Sequence, residues 1–177
     1  MITFGAIMTL RLIEPPEDWD GSPEDAVKRG MVKAESSQHN LVVTTGTTLL
    51  ASAIFENISA ATFSPATMQN ATGAIGSGST APAPSNTGLV TEMARALRSN
   101  VTYVAGPPSY TKYFFFYGKA SAGGPTGTVR ECGVFCDVTL PGLTGGTLLN
   151  RALVSPAIVK GATDVLTFEV DLQVTPS

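Results

Sequence analysis

The sequence is poor in the residues that carry most enzyme chemistry. Among its 177 residues there is one histidine, His39, and there are two cysteines, Cys132 and Cys136. A Ser-His-Asp or Cys-His arrangement would have to use His39, and no Gly-x-Ser-x-Gly motif accompanies it. A Cys-x-x-x-Cys pair with a single histidine also lacks the co-ligands of a zinc site. We therefore expect no catalytic residues, no metal and no cofactor.

Charge is scarce as well. Charged residues make up 14% of the chain, against about 25% in an average soluble domain. Eleven basic and fourteen acidic residues give a net charge of −3, and the basic ones are scattered, so we expect no nucleic-acid partner. So low a charge fraction favours a protein whose surface is partly covered by partners.

Long hydrophobic runs are missing too. No segment approaches the roughly 18 apolar residues of a membrane helix. The first ten residues contain no basic residue, unlike the start of a secretory signal. We expect no membrane partner and synthesis in the cytoplasm.

The two cysteines lie four residues apart in a strand-like run. In an extended chain this spacing places them on one face, roughly 13 Å apart. A disulfide needs Cα atoms within about 7 Å, so they are not expected to bridge each other. They are interpreted as small buried core residues, the alternative being a bridge to another chain.

The sequence is rich in the alternation of apolar and polar residues that is typical of β-strands. Over residues 164–174 apolar side chains alternate with polar ones at period two, which predicts a long strand with one buried face. Short strands separated by turns are also predicted at 2–13, 100–105, 110–120, 128–139, 147–154 and 157–160. This spacing predicts a mainly β fold, an antiparallel, jelly-roll-like β-sandwich.

One predicted strand carries five consecutive aromatic residues, 113–117, including Tyr113, Phe115 and Tyr117. Rings on both faces of a strand predict apolar surroundings on both sides. That is typical of a central strand or of one buried at a subunit contact.

Two other segments have the spacing of amphipathic helices. Apolar residues recur over 47–56, and Leu89, Met93 and Leu97 form a stripe over 88–98. On the second helix Glu92 and Arg95, three residues apart, would form an ion pair. A further short helix could begin at Pro23.

The first 37 residues differ in character from the rest and contain an acidic, proline-punctuated stretch. We interpret 1–37 as an N-terminal arm and 38–177 as the β-sandwich domain. The single tryptophan, Trp19, lies in the arm, where it either packs on its own domain or anchors a partner.

Charges inside apolar strands are the remaining polar candidates. Arg130, Glu131 and Arg151 are each surrounded by strand-forming residues, and we interpret them as pairing across strands or between subunits. Glu169 and Asp171 share one face of the last strand and are interpreted as a solvated face. The glycines Gly76 and Gly78 could suggest a phosphate cradle, but a tight turn fits better because no Gly-Lys-Ser/Thr follows.

The order of four of these segments resembles a group of small structural proteins of tailed bacteriophages. The segments are AIGSGSTAPAPSNTGLVTEMAR (74–95), RECGVF (130–135), GGTLLNRA (145–152) and the closing alternating strand. The resemblance covers about residues 38–174. The acidic segment before it and Cys132, where the group more often has alanine, depart from the pattern.

The resemblance implies a non-enzymatic virion protein of the tail, fibre or minor structural type. It makes Glu92, Arg95, Glu131 and Arg151 the shared polar positions, which we interpret as structural pairs. The protein would be assembled in the host bacterial cytoplasm. It would associate with other virion proteins and with copies of itself, as a trimer or hexamer.

Two other functions are alternatives to this one. A carbohydrate- or receptor-binding module at a fibre tip would use an aromatic surface of Trp19, Tyr103, Tyr110, Tyr113 and Tyr117. A small hydrolase would depend on His39.

Overall fold

The computed structural model describes residues 2–16, 23–55, 70–104, 109–136 and 138–176. Trp19 lies outside the described residues. The described segments form mainly strands, as the sequence predicts, with two helices, α1 (Pro23–Lys28) and α2 (Thr44–Phe55). The strands are β1 (Ile2–Ile13), β2 (Val32–His39), β3 (Leu41–Val42), β4 (Thr72–Gly76), β5 (Glu92–Val104), β6 (Ser109–Tyr117), β7 (Gly127–Cys136), β8 (Thr147–Lys160) and β9 (Val165–Pro176).

All the strands belong to one antiparallel sheet, in the order β2-β1-β9-β6-β5-β4-β7-β8-β3. Its two edge strands, β2 and β3, are consecutive in the chain. The sheet curls so far that Gln38 on β2 donates a side-chain hydrogen bond to the carbonyl of Ser155 on β8 at 2.6 Å, and Ser36 donates to the same carbonyl at 3.0 Å. The sheet is therefore nearly closed.

The predicted last strand is confirmed. Leu166, Phe168 and Val170 are fully buried on the inner face of β9, while Thr167, Glu169 and Asp171 alternate with them on the outer face. β9 pairs with β1 on one side and β6 on the other. Burying a large apolar side chain is worth about 1.5–3 kcal/mol, so this alternation fixes the register of the middle of the sheet.

Opposite parts of the curled sheet meet in the core. The Cys132 thiol on β7 lies 3.4 Å from the Met8 sulfur on β1. Phe115 on β6 packs against Phe168 on β9, with ring centroids 5.3 Å apart. A Cβ atom on Gly73 would lie 2.5 Å from the Phe115 ring, so the rings occupy the space that this glycine leaves free.

Helix α2 covers 44–55, close to the predicted 47–56, and its Leu49 and Leu50 pack on the core. Helix α1 begins at Pro23, as expected from the sequence.

The predicted helix over 88–98 is wrong. Residues from Glu92 onward form strand β5, which pairs first with β4 and then with β6. The stripe of Leu89, Met93 and Leu97 has helical spacing, but a bulge at Met93 shifts the strand by one residue, and such an extra residue breaks the strict alternation by which strands are recognised. Tertiary pairing with two neighbouring strands outweighs the local pattern.

The first 37 residues are not separate from the sheet. β1 lies between β2 and β9, and all twelve of its residues have partners on β9. Residues 2–13 therefore supply an interior strand, and 32–39 supply an edge strand. This differs from the expected arm, because the acidic stretch that suggested a boundary lies between two strands of one sheet.

The two faces of the aromatic strand β6 differ in burial. Tyr113, Phe115 and Tyr117 are buried in the core, whereas Phe116 is 38% exposed and Phe114 is half-buried on the outer face. β6 is an interior strand of the sheet, but only one of its faces meets the core. Among the described residues no second layer covers Phe114 and Phe116, so burial of the outer face at a subunit contact stays a prediction.

Candidate functional site

Two of the charged residues that the sequence places inside apolar strands, Glu131 and Arg151, meet on the outer face of β7 and β8. Gly133 on β7 lies directly opposite Arg151 on β8, and Glu131 points to the same side two residues further along. Both charged side chains are fully buried, with 0% exposure. Glu131 Oε2 accepts hydrogen bonds from Arg151 Nε at 2.9 Å and Nη2 at 2.8 Å.

The Glu131 carboxylate also holds a segment of backbone. Its Oε1 accepts the N–H groups of Gly78 at 3.1 Å and Thr91 at 2.8 Å, and its Oε2 accepts that of Val90 at 3.0 Å. These donors come from the two ends of residues 77–91, which connect β4 to β5 without regular structure. We call this segment the β4–β5 loop.

Arg151 holds the middle of the same loop. Its Nη2 donates to the carbonyl of Thr80 at 2.8 Å, and its Nη1 donates to the Asn86 side-chain oxygen at 2.9 Å. The Asn86 oxygen accepts the backbone N–H of Ala83 as well, at 2.8 Å. One ion pair therefore supplies hydrogen-bond partners to both ends and to the middle of the β4–β5 loop.

The glycines of the Gly-x-Gly motif make this approach possible. A Cβ atom on Gly78 would overlap Glu131 Oε1, and one on Gly76 would lie 2.7 Å from the same oxygen. The turn predicted at these glycines cradles an anion after all, but the anion is the chain's own carboxylate.

The environment keeps Glu131 ionised. Burial favours the neutral acid, but the backbone hydrogen bonds from Thr91 and Val90 and the pairing with Arg151 outweigh it. The pKa of Glu131 is therefore lowered from its ordinary value. A buried carboxylate with this many donors is a stable anion.

A second pair lies beside the first. Arg95 binds Glu92 through two hydrogen bonds, Nε to Oε1 at 2.8 Å and Nη2 to Oε2 at 2.9 Å. It also donates to the carbonyl of Gly145 at 2.6 Å and stacks over the Phe135 ring at 3.8 Å from its centroid. The pair forms on a strand, because the bulge at Met93 brings residues 92 and 95 to one face.

Other candidates lie elsewhere. Cys132 and Cys136 are buried in the core as thiols, as expected, and they are not joined to each other. Burial raises the pKa of the Cys132 thiol.

Arg130 is exposed at an irregularity of β7 and does not join the Glu131–Arg151 pair. Tyr113 and Tyr117 are buried and cannot contribute to an aromatic sugar-binding surface, whereas the side chains of Trp19, Tyr103 and Tyr110 lie outside the described part of the structure.

The outer face of β9 carries ion pairs that the sequence did not indicate. Glu169 binds Lys112 on β6 at 2.7 Å and Arg11 on β1 at 2.9 Å, and Arg11 also binds Glu35 on β2 at 2.7 Å. Burial opposes ionisation of Glu169, but the hydrogen bonds from Lys112 and Arg11 prevail and lower its pKa. Periodicity predicts this face, but the sequence does not show which strands neighbour β9.

Within the described segments, none of the His, Cys, Asp and Glu side chains cluster in threes as metal ligands would. Neither described helix has the length and apolar character needed to cross a membrane. The chain matches no protein-family model, and no curated protein is significantly similar to it.

Proposed function

We propose that this protein is a structural component of a tailed-bacteriophage particle, without a catalytic role, that assembles as an oligomer on the tail, neck or capsid. The proposal rests on the contacts that Glu92, Arg95, Glu131 and Arg151 make within the chain. These are the polar positions of the phage-like motifs, and all four side chains are occupied in ion pairs and backbone hydrogen bonds. Polar groups used in this way support a scaffold role.

We further propose that the nearly closed sheet is organised as the β-sandwich that the resemblance implies. Met8 on β1 touches Cys132 on β7 across the core, so the strands on either side of β5 could act as two facing layers. We propose that β5, which pairs with β6 at one end and β4 at the other, passes from one layer to the other.

Mass spectrometry of purified phage particles tests the function. The protein should copurify with particles through a density gradient, and its copy number relative to the major capsid protein should locate it. Hundreds of copies would indicate capsid decoration or a tail-tube role, and a small multiple of three or six a neck, baseplate or fibre. A protein that stays in the soluble lysate while particles are complete contradicts the proposal.

A further inference from the structure

The donors that surround the Glu131 carboxylate all come from parts of the chain other than its own strand. The N–H groups of Gly78, Val90 and Thr91 belong to the β4–β5 loop. The Arg151 guanidinium belongs to β8. We call these three N–H groups and the guanidinium the carboxylate cradle. Removing the Glu131 side chain would take away none of the groups that form it.

The carboxylate cradle matches the acceptor sites of one ionised carboxylate. One oxygen of Glu131 receives two backbone N–H groups, at 2.8 and 3.1 Å. The other receives one backbone N–H at 3.0 Å and two guanidinium nitrogens, at 2.8 and 2.9 Å. A carboxylate has about four lone-pair sites and accepts donors on both oxygens, whereas an amide offers a single oxygen. The donors therefore select a carboxylate over a neutral group of the same shape.

Other contacts hold the loop donors in place. At the ends of the loop the Ser77 N–H donates to the carbonyl of Thr91 at 2.9 Å. Near its middle the Thr44 N–H, at the start of α2, donates to the carbonyl of Pro84 at 2.9 Å. Leu89 packs against buried apolar residues of β4, β7 and β8. These contacts do not involve Glu131, so the loop is anchored at several points besides its carboxylate.

Arg151 is held by the loop as well. Its guanidinium donates to the carbonyl of Thr80 at 2.8 Å and to the side-chain oxygen of Asn86 at 2.9 Å. The side chain is fully buried, so without Glu131 a positive charge and three N–H groups would lose their acceptor. Buried groups left in that state are costly, and an anion that enters the space removes the cost.

We propose that the carboxylate cradle is a binding site for carboxylates in its own right, filled in the intact chain by Glu131, and that it takes a small free carboxylate when that side chain is removed. The site is formed by the packing of the β4–β5 loop against β8 and does not need the covalent link to β7. Formate is the smallest such ligand. It carries the same two oxygens on one carbon, and the methylene that alanine lacks at position 131 leaves room for that carbon.

The test is thermal unfolding of Glu131→Ala in sodium formate, with sodium chloride as the control for ionic strength and formamide as the neutral analogue. The midpoint should rise with formate concentration by about 3 °C or more at roughly 0.1 M, the shift expected when a ligand exceeds its Kd about tenfold. Chloride and formamide should give smaller shifts. Hydrogen exchange at the amides of Gly78, Val90 and Thr91 should become slower with formate, which locates the ligand in the cradle.

Two variants serve as matched controls. Glu131→Gln keeps a side chain of the same size in the cradle, so formate should shift its midpoint no more than chloride does. Glu92→Ala also removes a carboxylate from an arginine, but this pair with Arg95 is partly exposed, and water can take the place of the lost group. Formate and chloride should affect Glu92→Ala equally.

A formate shift in Glu131→Ala no larger than the chloride shift overturns the inference, and so does an equal formate-specific shift in Glu92→Ala. A Glu131→Ala chain that stays unfolded in the cold with and without formate also overturns it, because a site formed by the loop itself would recover its fold once the ligand is present. A formate-specific shift with slower exchange at the three amides supports the inference. Whether the protein occurs in phage particles does not affect this outcome.

Discussion

At the scale of single residues, the Glu131 carboxylate shows how one buried charge can organise fifteen residues of irregular backbone. Removing its charge leaves Arg151 buried and unpaired, which typically costs about 3–5 kcal/mol. Glu131→Gln should therefore lower the free energy of unfolding, measured by urea denaturation, by about that amount. Glu92→Gln is the control, because its partly exposed pair with Arg95 should lose under about 1 kcal/mol. Equal losses in the two variants would contradict the assigned role.

Replacing both partners separates the charges from the backbone they hold. In Glu131→Leu/Arg151→Met no buried charge remains, but the N–H groups of Gly78, Val90 and Thr91 lose their acceptor. We expect the double variant to recover part of the stability lost in Glu131→Gln, while hydrogen exchange at these three amides becomes faster than in wild type. Wild-type exchange rates there would show that the loop is held by other contacts.

Lys160 is the opposite case, a buried charge without a hydrogen-bond partner among the described residues. Its side chain is 1% exposed, and burial lowers its pKa, although the nearby Asp164 carboxylate opposes the shift. Between the folded and unfolded pKa values the unfolded chain binds more protons, so the amine makes stability rise with pH in that interval.

Lys160→Met should accordingly stabilise the protein at pH 7, by about 1 kcal/mol or more, because an unsatisfied buried donor is removed. It should also flatten the rise in stability between pH 7 and pH 9.5, as measured by urea denaturation at both values. Lys28→Met, at an exposed position in the last turn of α1, should change neither quantity. A lower free energy of unfolding in Lys160→Met would contradict this, because it would show that the amine makes a stabilising contact.

At the scale of elements, period-two alternation predicted β9 correctly because both of its neighbours are regular strands and only one of its faces is buried. The same reasoning failed at β5. An extra residue at Met93 and a second irregularity near Ser99 interrupt its alternation, and the chain then has helix-like spacing over a few residues. The local sequence pattern identifies a strand when the strand is regular. Where a bulge interrupts the strand, pairing with neighbouring strands determines the secondary structure instead.

Gly73 on β4 tests the packing of these elements. A Cβ atom there would lie 2.5 Å from the Phe115 ring and 2.9 Å from the Phe168 ring, which already pack on each other. Gly73→Ala should reduce the free energy of unfolding by about 1–3 kcal/mol, the usual cost of overpacking. Gly88→Ala has open space around its Cβ and should be nearly neutral. If the two alanine variants have the same midpoint in urea, β4 can move away from the rings.

At the scale of the whole molecule, the sequence identified the polar residues of the site but not how they pair with the loop. The sequence places Glu131 and Arg151 in strands and the glycines of 76–78 in a turn. Their convergence depends on the register of β7 with β8 and on the path of the β4–β5 loop, which no local pattern contains. The ion pairs on the outer face of β9 cannot be deduced from the sequence for the same reason, since Arg11, Lys112 and Glu169 come from three distant strands.

The sheet order also decides what removal of the first 37 residues would do. An arm could be cut off without loss, but β1 pairs along its whole length with β9 and covers the core with Met8, Leu10 and Leu12. The truncated chain should lose cooperative thermal unfolding and aggregate, because β9 becomes an open edge beside an exposed core. Adding a peptide of residues 1–40 during refolding should restore the far-ultraviolet circular dichroism of the intact protein. A truncated chain that unfolds cooperatively at the wild-type temperature would instead show that residues 38–177 fold alone, and that the N-terminal strands are an addition to a complete domain.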